Sequence, residues 1–322
     1  MANRTIRMVS YNWDYLQPIA CGDVQPEGID LIMERGNSLA RISSDPSVDA
    51  TEASLSLYLI GLSRGERDLV GVPIFMMRAF RHRCFLVRRD SPLQDFADLV
   101  GKRIGTDGWA NTGNTWSRAA MRERGVDIAS IEWVVGPPEE VPSVARNTGG
   151  VTFPSYVSAA PAGKTLVGML LAGELDALMI PFPPQGFFTR DSPIVHLFRD
   201  YRTVEKEYFQ RVGYCPGHHV AALRRSVFES DPTIAPRLLA AFEESKRRWR
   251  EDRRKLADTT PWVLMELEET ATLLGEDWQP FGVEPNRAML ATFCAEQLAQ
   301  GLVSQPLSPD TAFADYEAVA RS

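Results

Sequence analysis

Short apolar runs and stretches of helical period alternate along most of the chain. Residues 6–10, 70–75 and 84–87 are runs of strand length rich in Val, Ile and Phe. Residues 48–50 read as the end of a strand, with 51–62 as the helix that follows and Gly65 as its stop. At Ser91-Pro92 a capping residue precedes a proline, which predicts a helix over 93–100 closed by Gly101. Beyond it come a strand at 102–106, a Gly/Asn/Thr loop at 107–114, a helix at 115–124 stopped by Gly125, and a strand at 131–135. A helix at 164–172 and a strand at 176–180 complete the series. Such alternation implies a mainly parallel sheet with helices on both faces. Residues 220–223 lead back into the first unit. Asp231-Pro232 repeats the cap-plus-proline signal ahead of a stripe at Ile234, Leu238, Ala241 and Phe242. The Lys/Arg run around Trp249 reads as a solvated helix face, and the remainder to Ser322 as helical, broken at Gly282 and Gly301.

Composition narrows the function classes. The 322 residues are 44% hydrophobic and 24% charged, enough for a full core in one large domain or two ordinary ones. A formal charge of −7 argues against nucleic acid as a partner. No run reaches the length of a membrane span. The N-terminal segment has positive charge but no apolar core of a signal peptide, so the expected location is cytoplasmic. Cys21, Cys84, Cys215 and Cys294 stand far apart without CxxC spacing, which suits reduced thiols. No HExxH, GxSxG or Walker loop occurs, and no metal or cofactor is expected. A homo-oligomer is compatible with the sequence.

Four segments carry candidate chemistry. The loop from Gly105 to Thr115, with Trp109 and Thr112, follows a strand and opens a helix; it is either an ordinary turn or an anion site at the helix start. Asp49-Ala-Thr-Glu52-Ala-Ser54 sits at another strand-to-helix junction, either capping the helix or turning Glu52 and Ser54 toward a cleft. Arg78, Arg81, His82 and Arg83 crowd six positions, as a basic surface turn or as a carboxylate clamp beside a titratable histidine. Cys215-Pro-Gly-His218-His219 holds half of the four histidines. In an extended chain, only one of the adjacent pair would face a cleft.

The order of these blocks resembles the 4,5-dihydroxyphthalate decarboxylase family, whose fold is similar to that of type II periplasmic solute-binding proteins. The resemblance spans roughly residues 6–313. It rests on Pro26-Glu-Gly-Ile-Asp-Leu31, Asp49-Ala-Thr-Glu-Ala-Ser54, Pro73-Ile-Phe75 with Arg78-Ala-Phe-Arg-His82, Gly173-Glu-Leu-Asp-Ala177, and the run from Gly275-Glu-Asp-Trp278 to Gln300-Gly301-Leu302. Arg-x-Phe-Arg-His is its most specific element. The family's Pro-x-x-His maps onto His219. The chain departs from the family at Ile180-Pro-Phe-Pro-Pro184 and Trp109-Ala-Asn-Thr112, which suggests a modified pocket.

The resemblance implies an α/β fold of two doubly wound lobes with a ligand cleft between them. Lobe 1 would comprise residues 1–90 and 213–322, lobe 2 residues 91–212, with crossings near 83–89 and 213–223. The implied activity is cofactor-independent, non-oxidative decarboxylation of a hydroxylated aromatic, phthalate-like acid. Arg78, Arg81 and Arg118 would hold carboxylate, helix-start amides near Thr112 a second one, and His82 or His219 would donate the proton. Glu52 or Asp49 would orient a histidine or accept a phenolic proton. The rival readings are a solute-binding or sensor protein for a small aromatic carboxylate, and another small-molecule lyase on the same fold.

Overall fold

A computed structural model describes residues 3–36, 42, 45–140, 149–256 and 260–321. The strands are β1 (Arg4–Tyr11), β2 (Ile29–Gly36), β3 (Ala50–Ser54), β4 (Leu69–Arg78), β5 (Phe85–Arg88), β6 (Arg103–Thr106), β7 (Glu132–Val135), β8 (Val157–Ala159), β9 (Ala177–Met179), β10 (Ile194–His196) and β11 (Gly217–Arg224). The helices are α1 (Gln17–Ala20), α2 (Leu55–Ser63), α3 (Thr112–Glu123), α4 (Leu166–Leu171), α5 (Tyr201–Val212), α6 (Arg225–Ser230), α7 (Ile234–Lys255), α8 (Val263–Leu274), α9 (Arg287–Ala299), α10 (Pro309–Ala312) and α11 (Ala314–Ala320).

The chain divides into two compact units. The first comprises Met1–Arg78, Tyr214–Ala295 and Gln305–Ser322; the second comprises Ala79–Gly213 and Glu296–Ser304. The chain therefore leaves the first unit at Arg78 and returns at Tyr214, just after Gly213 ends α5 in the left-handed region (φ 76°). Residues 83–89, read from sequence as a crossing, lie within the second unit, where 85–88 form β5 of its sheet.

The first unit holds a five-stranded sheet of order β2-β1-β3-β11-β4. β1 runs parallel to β2 and β3, while β11 is antiparallel to both β3 and β4. Its core joins Ile6, Met8, Val70, Val72 and Ile74 to Leu238, Ala241 and Phe242 of α7. The second unit holds a six-stranded sheet of order β10-β5-β9-β6-β7-β8, parallel from β9 through β8. Open α/β sheets bind ligands at the carboxyl ends of their parallel strands. Those ends are Tyr11 and Ser54 in the first unit and Thr106 and Val135 in the second.

Local differences from the sequence pattern have identifiable causes. Residues 51–54 are strand rather than helix, because β1 and β11 flank them and pair with their backbone. The helix begins only after Ser54, whose hydroxyl accepts the Leu57 N–H at 3.4 Å. The expected helix at 93–100 shrinks to a single 3₁₀ turn, Phe96–Leu99, capped by Asp95. β2, β8, β10 and α5 have no counterpart in the pattern reading. The basic run of α7 is mostly solvated and ion-paired, as with Arg247 to Glu244 and Glu251. Lys246 differs in being fully buried: it pairs with Glu243 (2.7 Å) and Asp277 (3.1 Å), lies 4.1 Å from the Phe281 ring centroid and donates to the Gln279 carbonyl at 2.7 Å. Among the described residues, no helix is long and apolar enough to cross a membrane.

Candidate active site

In the first unit, strand alternation decides which candidates meet. In the β3–β11 pair, Ser54 stands opposite His219 and Glu52 opposite Ala221. Residues two apart share a face, so Glu52 and His219 are diagonal neighbours on one face of the sheet. His219 Nδ1 lies 2.5 Å from Glu52 Oε1. Glu52 is 1% exposed and His219's side chain 18%, so the carboxylate is interior and the imidazole reaches the surface. Two further groups complete the carboxylate's shell. The Tyr11 backbone N–H donates to Oε2 at 2.9 Å, and the Trp13 indole N–H donates to Oε1 and Oε2 at 3.1 and 3.0 Å. The Tyr11 ring stacks on the His219 imidazole with centroids 5.7 Å apart. Burial, then the charge of Glu52, raises the Tyr11 phenol above its ordinary range.

This arrangement is a carboxylate–imidazole pair. With Nδ1–H directed at the carboxylate, the neutral ring keeps Nε2 for proton exchange, and the buried anion stabilises the imidazolium when it forms. β11 is irregular here: His219 pairs with Met77 of β4, whereas Ala221 pairs with Val72. The intervening stretch of β4 starts at Pro73, which has no N–H to give a ladder.

The other first-unit candidates lie elsewhere. Asp49 is on the opposite face from Glu52 by alternation, at the far end of β3, and accepts the Arg7 N–H at 2.9 Å. It ties the residue just before β3 to the middle of β1 rather than orienting His219. Arg78 is not a free clamp. Its guanidinium donates to the carbonyls of Cys215 (2.9 Å) and Pro280 (2.7 Å) and to Asn286 Oδ1. Burial lowers it to about 10.

In the second unit, α3 begins at Thr112, itself buried, three residues before the pattern placed it. The Asn114 side chain donates back to Thr106 Oγ1, Asp107 Oδ1 and the Gly108 carbonyl, which pins the strand-to-helix turn. Arg81 lies flat against this helix start. A Cβ on Gly113 would stand 2.7 Å from Arg81 Nη2 and 2.8 Å from Cζ. Arg81 Nε reaches Ser117 Oγ at 3.4 Å, while Nη2 is buried with no hydrogen-bond partner among the described residues. A guanidinium N–H beside a helix N-terminus is an anion-binding arrangement.

Trp109 and Arg118 are both buried and packed on one another, and Trp109 Nε1 and Arg118 Nη1 have no hydrogen-bond partner among the described residues. The Arg118 guanidinium stacks 3.8 Å from the indole centroid, donates to the Trp109 carbonyl (2.6 Å) and to Gln300 Oε1 (2.7 Å), and is fully buried. Burial lowers it to about 9. His82 is 1% exposed inside an aromatic box of Phe96, Phe198 and Tyr208. Neither ring nitrogen has a hydrogen-bond partner among the described residues, and burial drives the imidazole down to about 3. A histidine neutral throughout the physiological range is a poor proton donor. Near it, Glu205 of α5 accepts the Arg83 N–H at 3.2 Å, and burial pushes its carboxyl up to about 7. Among the described residues, no three His, Cys, Asp or Glu side chains gather as a metal site.

Comparison with known proteins decides the family. The chain is 31% identical over 314 residues to 4,5-dihydroxyphthalate decarboxylase of Comamonas testosteroni, covering 94% of both chains. The chain belongs to the 4,5-dihydroxyphthalate decarboxylase family. It is accordingly an enzyme, a carboxy-lyase. The decarboxylase of the same name from Pseudomonas putida is 31% identical over 207 residues, 63% of this chain and 80% of that one. A family model described as NMT1/THI5 like matches residues 70–158. The fold of this decarboxylase-family chain is that of the periplasmic binding proteins. The periplasmic aliphatic sulphonate binding protein SsuA of Escherichia coli superposes with a TM-score of 0.56 at 16% identity, over 96% of this chain and 99% of that one.

Sequence reasoning missed Tyr11, Trp13 and Glu205 in this family member. Tyr11 ends β1, and Trp13 stands two residues past that carboxyl edge. Strand-end position was the signal that could have flagged both.

Proposed function

We propose that the protein removes CO2 from a hydroxylated aromatic carboxylic acid of the phthalate type, with His219 as the proton donor and Glu52 as its stabilising partner. The observation that carries this reading is the 2.5 Å contact between His219 Nδ1 and the buried carboxylate of Glu52. An aryl carboxylate loses CO2 slowly because the ring carbanion is poorly stabilised. A hydroxyl ortho or para to the reacting carbon lets the ring accept a proton first. His219 Nε2–H protonates the carbon that bears the carboxylate. The C–C bond to the carboxylate then breaks, its electron pair restores the aromatic ring, and CO2 departs. Neutral His219 regains its proton from solvent, so the balance is one proton in and one CO2 out.

The substrate named for the curated relatives, 4,5-dihydroxyphthalate, is the first candidate. Anion binding in the second unit is assigned to Arg81 and the start of α3, on the strength of the buried Arg81 Nη2. No cofactor is invoked.

The test is CO2 release from a panel of hydroxylated benzene-carboxylates by metal-stripped protein. Release from 4,5-dihydroxyphthalate, abolished in His219→Ala, is expected. Saturable binding without release would move the protein to the solute-binding reading. Release that survives His219→Ala would remove that histidine from the chemistry.

A further inference from the structure

The Glu52 carboxylate has more donors than a histidine partner requires. We propose that Trp13 is a positioning residue that holds down the proton affinity of the Glu52–His219 pair, and so sets the pH at which His219 carries its proton. This rests on the reading of that pair as the proton-transfer group. Oε1 is shared: it accepts from His219 Nδ1 at 2.5 Å and from the Trp13 indole at 3.1 Å. The same indole N–H also reaches Oε2, beside the Tyr11 backbone donor. A donor to the anionic carboxylate stabilises the pair before a proton is added. Removing it makes the first proton bind more tightly, whichever of the two residues takes it. Trp13 also meets Tyr11 edge-on, with centroids 5.9 Å apart, and Tyr11 in turn stacks on His219. One side chain thus touches the anion directly and braces the ring that covers the imidazole.

The other ionisable groups around the pair are Tyr11, Tyr15, Asp14 and Arg78. Tyr11 of β1 and Tyr15 in the following turn both feel the charge of Glu52, and burial holds both phenols protonated above neutrality. Asp14 and Arg78 act on Tyr15, and the Arg78 guanidinium of β4 is engaged with Cys215, Pro280 and Asn286.

The experiment follows the ¹⁵N resonances of the His219 ring across pH in the full-length protein, without substrate. Trp13→Phe keeps the aromatic contact and removes the N–H. Its titration midpoint should rise by about one pH unit, the size expected for losing one hydrogen bond to a charged group. Glu52→Gln should lower the midpoint instead. A Trp13→Phe midpoint equal to that of wild type overturns the proposal. Should that variant fold poorly, the indole N–H resonance of Trp13 in the wild type should shift through the same midpoint as His219. An indole resonance that ignores the His219 titration overturns it equally. With active enzyme, the basic limb of kcat should move upward by the same interval in Trp13→Phe. The ring titration needs no turnover, so its failure is distinct from failure of the catalytic reading, which His219→Ala decides.

Discussion

His219 and Glu52 meet across a strand diagonal, Nδ1 to Oε1 at 2.5 Å, on β11 and β3, which are neighbours in the sheet but 167 residues apart in sequence. The pairing register alone brings them together. A one-residue slip of β11 against β3 would turn His219 to the opposite face and leave a buried carboxylate without its imidazole. Replacing His219 by Ala should lower kcat by about 100- to 10,000-fold, the usual cost of a positioned acid. Glu52→Gln should lower kcat by less, because Nδ1–H retains an oxygen acceptor but the imidazolium loses its counter-charge. Steady-state CO2 release checks both, and a His219→Ala enzyme within a few fold of wild type would refute the assignment.

His82 gives a pH prediction of defined sign. Its folded-state value near 3 lies below the ordinary 6.5, with burial the main cause and the charges of Arg211 and Arg124 behind it. A depressed value means that the unfolded chain takes up the proton first. The stabilisation is therefore complete above about pH 6.5 and is lost progressively as pH falls toward 3. His82→Phe keeps the aromatic packing and removes two buried nitrogens that lack partners among the described residues. Urea unfolding should show the variant at least as stable as wild type at pH 7.5, with the gap widening in its favour below pH 6.5. Its kcat should stay close to wild type.

Arg78 illustrates a cation used for architecture. Its guanidinium joins the end of β4 to the carbonyls of Cys215 and Pro280. Arg78→Met should cost about 3 kcal/mol of stability, because acceptors in the interior are left without their donor. Chemical denaturation measures this directly. At temperatures where the variant stays folded, kcat should fall far less than in His219→Ala.

How much of this was legible beforehand follows from what each signal encodes. The βα alternation and the ordered blocks carried the fold, since hydrophobic period and capping residues are local quantities. Glu52 and His219 could be nominated because chemistry-bearing residues at strand ends are visible in sequence. Their pairing could not, because it depends on the β3–β11 register. The arginine-rich run misled for a physical reason: density of charge says nothing about what each guanidinium meets. Arg78 turned to carbonyls and Arg81 to the start of α3, while Arg118, outside that run, stacks on an indole; among the described residues each keeps one buried nitrogen without a hydrogen-bond partner. His82 sits one residue from Arg81 yet is enclosed by aromatic rings from residues 96, 198 and 208, a long-range contact set that no spacing rule exposes.

Gly113 offers the last test, aimed at anion binding in the second unit. The glycine is there because Arg81 is: a methyl at position 113 would fall 2.7 Å from Nη2, closer than such atoms can approach. Gly113→Ala must therefore push the guanidinium away from the start of α3. Helix propensity runs the other way, since Ala is favoured over Gly inside a helix. A loss of ligand affinity with an unchanged or raised melting temperature would thus report the displaced arginine rather than a damaged fold. Calorimetric titration with phthalate should show affinity weakened by about tenfold, the size of one charge-assisted hydrogen bond. Arg81→Lys should lose at least as much, because an ammonium cannot lie flat on the glycine as the planar fork does. Unchanged phthalate affinity in both variants would place anion recognition elsewhere.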